Sequence, residues 1–217
     1  TDAMLQDPDP GDWLLWRRTY DAAGYSPLAA IDRTNVDDLR LAWSWALPGG
    51  PNESTPVVHD GVLFVHGYGD EVHALDAASG DLLWEYARRL PRDVAPSLKR
   101  GLSIYGERLY VPTSDLHVVA LDVRTGTVVW ETAVGQPGAR TRMTGGTLVA
   151  GGTVMVGTTG RAEGGNHIVG LDAETGAERW RFHTIPPPDA PAATVGTACR
   201  TRSATGARSG FRAATTR

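Results

Sequence analysis

The sequence predicts an all-β protein of the β-propeller kind, with about three four-stranded blades, and three observations predict it. An eleven-residue pattern occurs three times, as Ala74-Leu-Asp-Ala-Ala-Ser-Gly-Asp-Leu-Leu-Trp84, Ala120-Leu-Asp-Val-Arg-Thr-Gly-Thr-Val-Val-Trp130 and Gly170-Leu-Asp-Ala-Glu-Thr-Gly-Ala-Glu-Arg-Trp180, at spacings of 46 and 50 residues. Ahead of each copy lie two more apolar runs joined by a glycine turn, and these turn glycines, Gly61, Gly106 and Gly152, are 45 and 46 residues apart. The composition agrees: 26 Gly and 14 Pro suit many short strands and turns, and 7 Trp supply large anchors. Four strands per period are the content of one propeller blade.

In chain order, Thr34-Asn-Val-Asp-Asp-Leu39 reads as a short helix with Thr34 or Asn35 at the N-cap and two aspartates in its first turn. Leu41-Ala-Trp43-Ser-Trp45 alternates like a strand, the lone closing strand of a propeller. Within each repeat, Asp76, Asp122 and Asp172 are placed to bond turn amides, and Gly80, Gly126 and Gly176 to take the positive φ of a tight hairpin. Trp84, Trp130 and Trp180 then enter the outgoing strand at a constant distance and are expected to be packing anchors. His59, His66 and His73 recur every seven residues on different strands of one blade, so they read as polar face residues and not as a metal cluster.

Several function classes are excluded. A net charge of -4 with 41% hydrophobic and 21% charged residues suggests neither disorder nor nucleic-acid binding. No apolar run approaches the roughly 18 to 20 residues that span a bilayer, and Thr1-Asp2-Ala3 has no secretory-signal layout. The single cysteine, Cys199, allows neither an internal disulfide nor a cysteine-rich metal site. No serine-histidine or cysteine-histidine hydrolase constellation can be argued.

Gly11-Asp-Trp13, Tyr25-Ser-Pro-Leu28, Asn35-Val36 and Trp43, followed by the tryptophan repeats, resemble the N-terminal part of pyrroloquinoline quinone (PQQ) dependent alcohol dehydrogenases of the methanol and ethanol dehydrogenase type, over residues 1 to about 188. The resemblance implies an eight-bladed full-length relative, of which this chain is less than half. It implies oxidation of an alcohol, with PQQ and Ca2+ or a lanthanide as cofactors, and a cytochrome c as electron acceptor. It also implies a periplasmic or secreted location and a homodimer as one assembly of the full-length protein. Glu53, in Pro51-Asn-Glu53-Ser-Thr-Pro56, matches a glutamate that contacts PQQ, and Arg100 an arginine that bonds the quinone oxygens, where a fixed cationic fork suits the charge developing on reduction. Thr144 aligns with a threonine on a PQQ carboxylate. Thr159, Gly160 and Ala162 fall in a cofactor-holding segment, and Glu163 falls at its metal-ligating glutamate, as suits a hard cation.

The residues leave other readings open. The vicinal cysteine pair of methanol dehydrogenases is replaced near Pro96-Ser97, and Thr158-Thr159-Gly160 reads equally as a plain glycine turn. Non-enzymatic propellers, such as outer-membrane assembly lipoproteins, share the tryptophan repeat, so a protein-interaction scaffold is the competing class. The catalytic base and remaining metal ligands are expected beyond residue 217, which leaves no catalytic residue here and an inactive chain.

Residues 190–217 contain no acidic residue and five arginines, so the rest of the chain carries -9. In the neighbouring reading frame Ala193–Arg200 can encode Asp-Ser-Trp-Asn-Gly-Leu-Pro, and Ser209–Arg217 can encode Trp-Ile-Pro-Gly-Ser-Tyr-Asp-Pro, both strings that the family has next. The expectation is a native region over 1–188 and a frameshifted, non-native tail over 189–217, with Cys199 having no evolved role.

Overall fold

The computed structural model describes residues 1–136, 141–160 and 166–184; the expected frameshifted tail, 189–217, lies outside them. Each repeat folds into an antiparallel meander whose strands lie in chain order. The first blade holds β1 (Val57–His59), β2 (Val62–Gly67), β3 (Glu71–Asp76) and β4 (Leu82–Ala87). The second holds β5 (Ser103–Tyr105), β6 (Arg108–Pro112), β7 (His117–Asp122) and β8 (Val128–Ala133). A two-stranded sheet of β9 (Thr141–Arg142) and β12 (Thr159–Gly160) accompanies the third blade, which is β10 (Leu148–Ala150), β11 (Thr153–Gly157), β13 (His167–Asp172) and β14 (Glu178–His183).

The repeated turn forms as its residues dictate. The Oδ1 atom of Asp76 accepts the amides of Ala78 and Ser79 at 2.9 and 2.8 Å, and Asp122 and Asp172 make the same pair of bonds one and two blades on. Gly80, Gly126 and Gly176 sit at φ +78°, +68° and +73°, and each turn carries a register shift just before it.

Those glycines have a second duty. The indole of Trp84 lies on Gly126 and donates Nε1–H to the Val123 carbonyl at 3.0 Å. Trp130 does the same to Gly176 and the Ala173 carbonyl at 3.0 Å. A Cβ on either glycine would stand 2.5–2.6 Å from the ring, so only glycine admits the contact. The tryptophan of one blade is therefore an anchor for the turn of the next. Trp180 departs from the expectation: it is 41% exposed against 9% for Trp130, because no described residue presents it with a following turn.

Leu41–Trp45 is not a strand. It pairs with no described strand; instead Trp43 packs on Gly80 and donates to the Ala77 carbonyl at 3.1 Å, the role that Trp84 plays one blade later. The alternation of that segment thus reflects indole docking and not a ladder. The expected helix is one 3₁₀ turn, Val36–Asp38, without a side-chain cap, because the Thr34 hydroxyl bonds Asp32 and the Asn35 amide bonds Ala30 and Asp32.

An unforeseen short helix, α1 (Asp2–Gln6), buries Leu5 in the core, and the chain after it crosses all three blades. Trp13 bridges Val58, Leu14 accepts the Ile104 amide at 2.9 Å, and the Tyr20 hydroxyl donates to the Val149 carbonyl at 2.9 Å. One continuous core joins Leu14, Phe64, Ile104, Tyr110, Trp130, Val149 and Leu171. Each such fully buried side chain contributes about 1.5–3 kcal/mol. The polar-face reading fits only His59, whose Nδ1 lies 2.8 Å from Asp12; His66 and His73 are buried, because β2 and β3 are interior strands of their blade.

Candidate cofactor site

The first strands of the three blades lie side by side, and the segments that lead into them converge. Thr55 and Gly101 form a parallel bridge, and the Thr55 amide donates to the Arg100 carbonyl at 3.1 Å. A Cβ on Gly146 would stand 3.0 Å from the Gly101 carbonyl, so the third segment approaches as closely as glycine permits.

This convergence gathers three residues that the sequence places far apart. Arg100 Nε lies 3.0 Å from Glu53 Oε2, and its Nη1 donates to the Thr144 carbonyl at 3.3 Å. Both charged side chains are half exposed, so both reach solvent. Arg88 is the instructive contrast: its side chain is only 10% exposed and is bidentate to Asp115 at 2.7 Å on both nitrogens, with Glu131 at 2.9 Å, a structural ion pair. Arg100, by contrast, has one carboxylate partner and remains half exposed.

Beneath the cluster lies a buried polar network that sequence reasoning missed. Lys99 Nζ is bonded to Ser97 Oγ at 2.6 Å, Ser114 Oγ at 3.2 Å and the Met143 carbonyl at 3.1 Å, with Asp70 Oδ1 at 3.3 Å. Asp70 in turn accepts the Ser114 amide and hydroxyl. Burial pulls the Lys99 ammonium below the usual lysine range, and Asp70 opposes the shift. Next to it His66 is fully buried, and burial, aided by the Lys99 charge, pushes it down to about 3, so its imidazole is neutral. Lys99 ties Arg100 to the residue before Thr144 and so fixes their spacing. Its sequence signal was its place beside Arg100, but two of its partners, Asp70 and the Met143 carbonyl, lie 29 and 44 residues away.

Thr159 and Gly160 are exposed in β12, paired with Arg142 and Thr141 just ahead of Thr144. The neighbouring Thr158 is the buried one, and its hydroxyl accepts the His167 amide at 3.0 Å. Ala162 and Glu163 lie outside the described residues.

The residues present suit an anionic, polyoxygenated ligand. A half-exposed guanidinium fork stands at the meeting point, and the buried Ser54 Oγ, next to Glu53, has no hydrogen-bond partner among the described residues. An orphaned hydroxyl at that depth is what a bound group would satisfy.

Comparison with known proteins identifies the class. Residues 13–209 match the PQQ family described as the glucose/ethanol/alcohol dehydrogenase β-propeller domain. The dehydrogenase subunit of the quinone alcohol dehydrogenase of Gluconacetobacter polyoxogenes is 37% identical over 84% of this chain and 26% of its own length. Quinohemoprotein alcohol dehydrogenase ADH IIB of Pseudomonas putida is 37% identical over 81% of this chain and 26% of its own length. The crystal structure of the Comamonas testosteroni quinohemoprotein alcohol dehydrogenase superposes with a TM-score of 0.70 at 32% identity, covering 83% of this chain and 30% of that one. A europium-containing methanol dehydrogenase gives 0.73 at 29% identity, covering 86% and 34%. The chain belongs to the PQQ-dependent dehydrogenase propeller family, and it spans about a quarter of the length of the curated relatives it matches.

Proposed function

We propose that the chain supplies part of the PQQ site of a quinoprotein alcohol dehydrogenase, and that the convergence of Glu53, Arg100 and Thr144 is the observation that carries this reading. Glu53, Arg100 and Thr144 would hold PQQ there, and the bound group would supply the two-electron acceptor for oxidation of an alcohol to a carbonyl compound. Arg100 would set a fixed positive charge where negative charge develops on reduction of the bound group. Glu53 and the Thr144 carbonyl engage Nε and Nη1, which orients the fork and leaves Nη2 outside those two contacts. Thr144, Thr159, Gly160 and Ala162 contribute hydroxyl and backbone groups, and Glu163 is a ligand for Ca2+ or a lanthanide.

The remaining parts of the reading follow the family. The full protein passes electrons to a cytochrome c in the periplasm or outside the cell, and it forms a homodimer. The catalytic aspartate is not among residues 1–217, so this chain alone does not turn over, and residues 189–217 are read out of frame. Sequencing the gene tests the last point: codons incompatible with the hidden string refute it.

The cofactor reading is tested by titrating the frame-restored gene product with PQQ, with and without Ca2+, and following binding by PQQ fluorescence. The expected result is saturable binding, weakened about 10–100-fold by Arg100→Ala, the range for a lost charge-assisted hydrogen bond. Absence of binding, or binding indifferent to Arg100→Ala, refutes the assignment.

A further inference from the structure

The repeat sets the same two positions face to face on the third and fourth strands of every blade: His73 with Glu85, Val119 with Glu131, and Val169 with Arg181. In the second blade Arg88 reaches across from the end of β4 to Glu131 at 2.9 Å. In the third, Arg181 is itself the cation, bonded to Glu178 and to the Val134 carbonyl. Arg88 stands four residues after the docking tryptophan Trp84; four residues after Trp43, the tryptophan docked on the first blade, stands Leu47.

The first blade therefore has the acids without the arginine. His73 is 5% exposed, and its Nε2 points between Glu71 Oε2 at 4.0 Å and Glu85 Oε2 at 3.9 Å. Its Nδ1 is buried without a hydrogen-bond partner among the described residues, and the three donor atoms lie within 4.8 Å of one another. Among the described residues no lysine or arginine lies within 4.0 Å of either carboxylate. These separations exceed a direct hydrogen bond, yet ligand bonds of about 2.0–2.2 Å put neighbouring donors roughly 3–4 Å apart around one ion.

We propose that Glu71, His73 and Glu85 form a binding site for a divalent transition-metal ion of the zinc type, separate from the cofactor cluster. One imidazole and two carboxylates are a borderline-soft set that suits such an ion better than Ca2+ or Mg2+, whose ligands are all oxygen. The two glutamates are partly exposed and give the ion a path and an open position for water, while the buried histidine fixes the site. The ion ties β3 to β4 and pins the imidazole under Trp45, whose ring centroid is 5.7 Å away. The site thereby clamps the segment that delivers Trp43 to its turn.

The test is a calorimetric titration of the full chain with Zn2+, run on the wild type, Glu71→Gln and Glu85→Gln. Both substitutions are isosteric and at partly exposed positions, and their metal-free melting temperatures serve as the check on folding. The expected result is one saturable Zn2+ site in the wild type, weakened at least about tenfold in each variant, since even outer partners of a metal ligand are worth that much. Zn2+ raises the melting temperature of the wild type and not that of the variants. His73→Gln loses the site as well. A wild type without saturable binding overturns the proposal, and so does Zn2+ bound equally well by Glu85→Gln.

Discussion

Trp130 and Trp180 occupy the same place in the same repeat and have different surroundings. Trp130 is nearly buried, with its face on Gly176, its Nε1–H on the Ala173 carbonyl and its ring 5.8 Å from Tyr110. Trp180 is 41% exposed and packs back on Gly170 of its own blade. The repeat encodes half of a contact at each end of a blade: a tryptophan on the fourth strand, and a glycine turn one blade on. Its energy is realised only where both halves meet.

Trp130→Ala should have the largest effect, about 3–5 kcal/mol of unfolding free energy in urea titrations, since it empties a packed junction and removes the indole bond to the Ala173 carbonyl. Trp180→Ala should cost about 1 kcal/mol or less. Equal losses would sink the view that the following turn gives the tryptophan its worth.

Gly176→Ala probes the other half of the contact. It should cost about 2–4 kcal/mol, because the new Cβ meets the Trp130 ring and φ is +73°. Gly61 has the same φ, with nothing within 4 Å of the position of a new Cβ, so Gly61→Ala isolates the backbone strain at about 1 kcal/mol. If the two alanine variants melt alike, the indole contact is not what demands glycine.

A pH-dependent effect belongs to the polar end of the junction between the first two blades. His66 binds a proton only near pH 3 when folded, but near 6.5 when unfolded. Its contribution to stability is therefore complete above about 6.5 and is lost as the pH falls toward 3, at up to about 1.4 kcal/mol per pH unit. His66→Gln should flatten the slope of stability against pH between 6.5 and 4.5 in urea titrations. An unchanged slope would show that other groups carry it.

The blades were legible because their determinants are local. Asp122, Thr125 and Gly126 close a turn by bonds that span a few residues, so the pattern names the structure wherever it occurs. Glu53, Arg100 and Thr144 were legible through the motifs around them, and the fold brings them together. Leu41–Trp45 was misread because its apolar alternation looks like a strand, whereas of its residues only Trp43 is partly buried, docked on the turn at Gly80. Lys99, Asp70 and His66 could not be paired from sequence, since their contacts bridge blades and their residue types alone suggest solvent. Helix α1 escaped notice because it is five residues long and owes its place to Leu5 in a distant core.

The sequence by itself determined the four strands of each blade, the turn chemistry and the period, because hairpins are set by neighbours in the chain. Tertiary structure alone decided which tryptophan is an anchor, which arginine is spent on an ion pair, and which histidine is neutral. Burial and partnership across blades set those properties, and neither is a property of a residue until the neighbouring blade is in place.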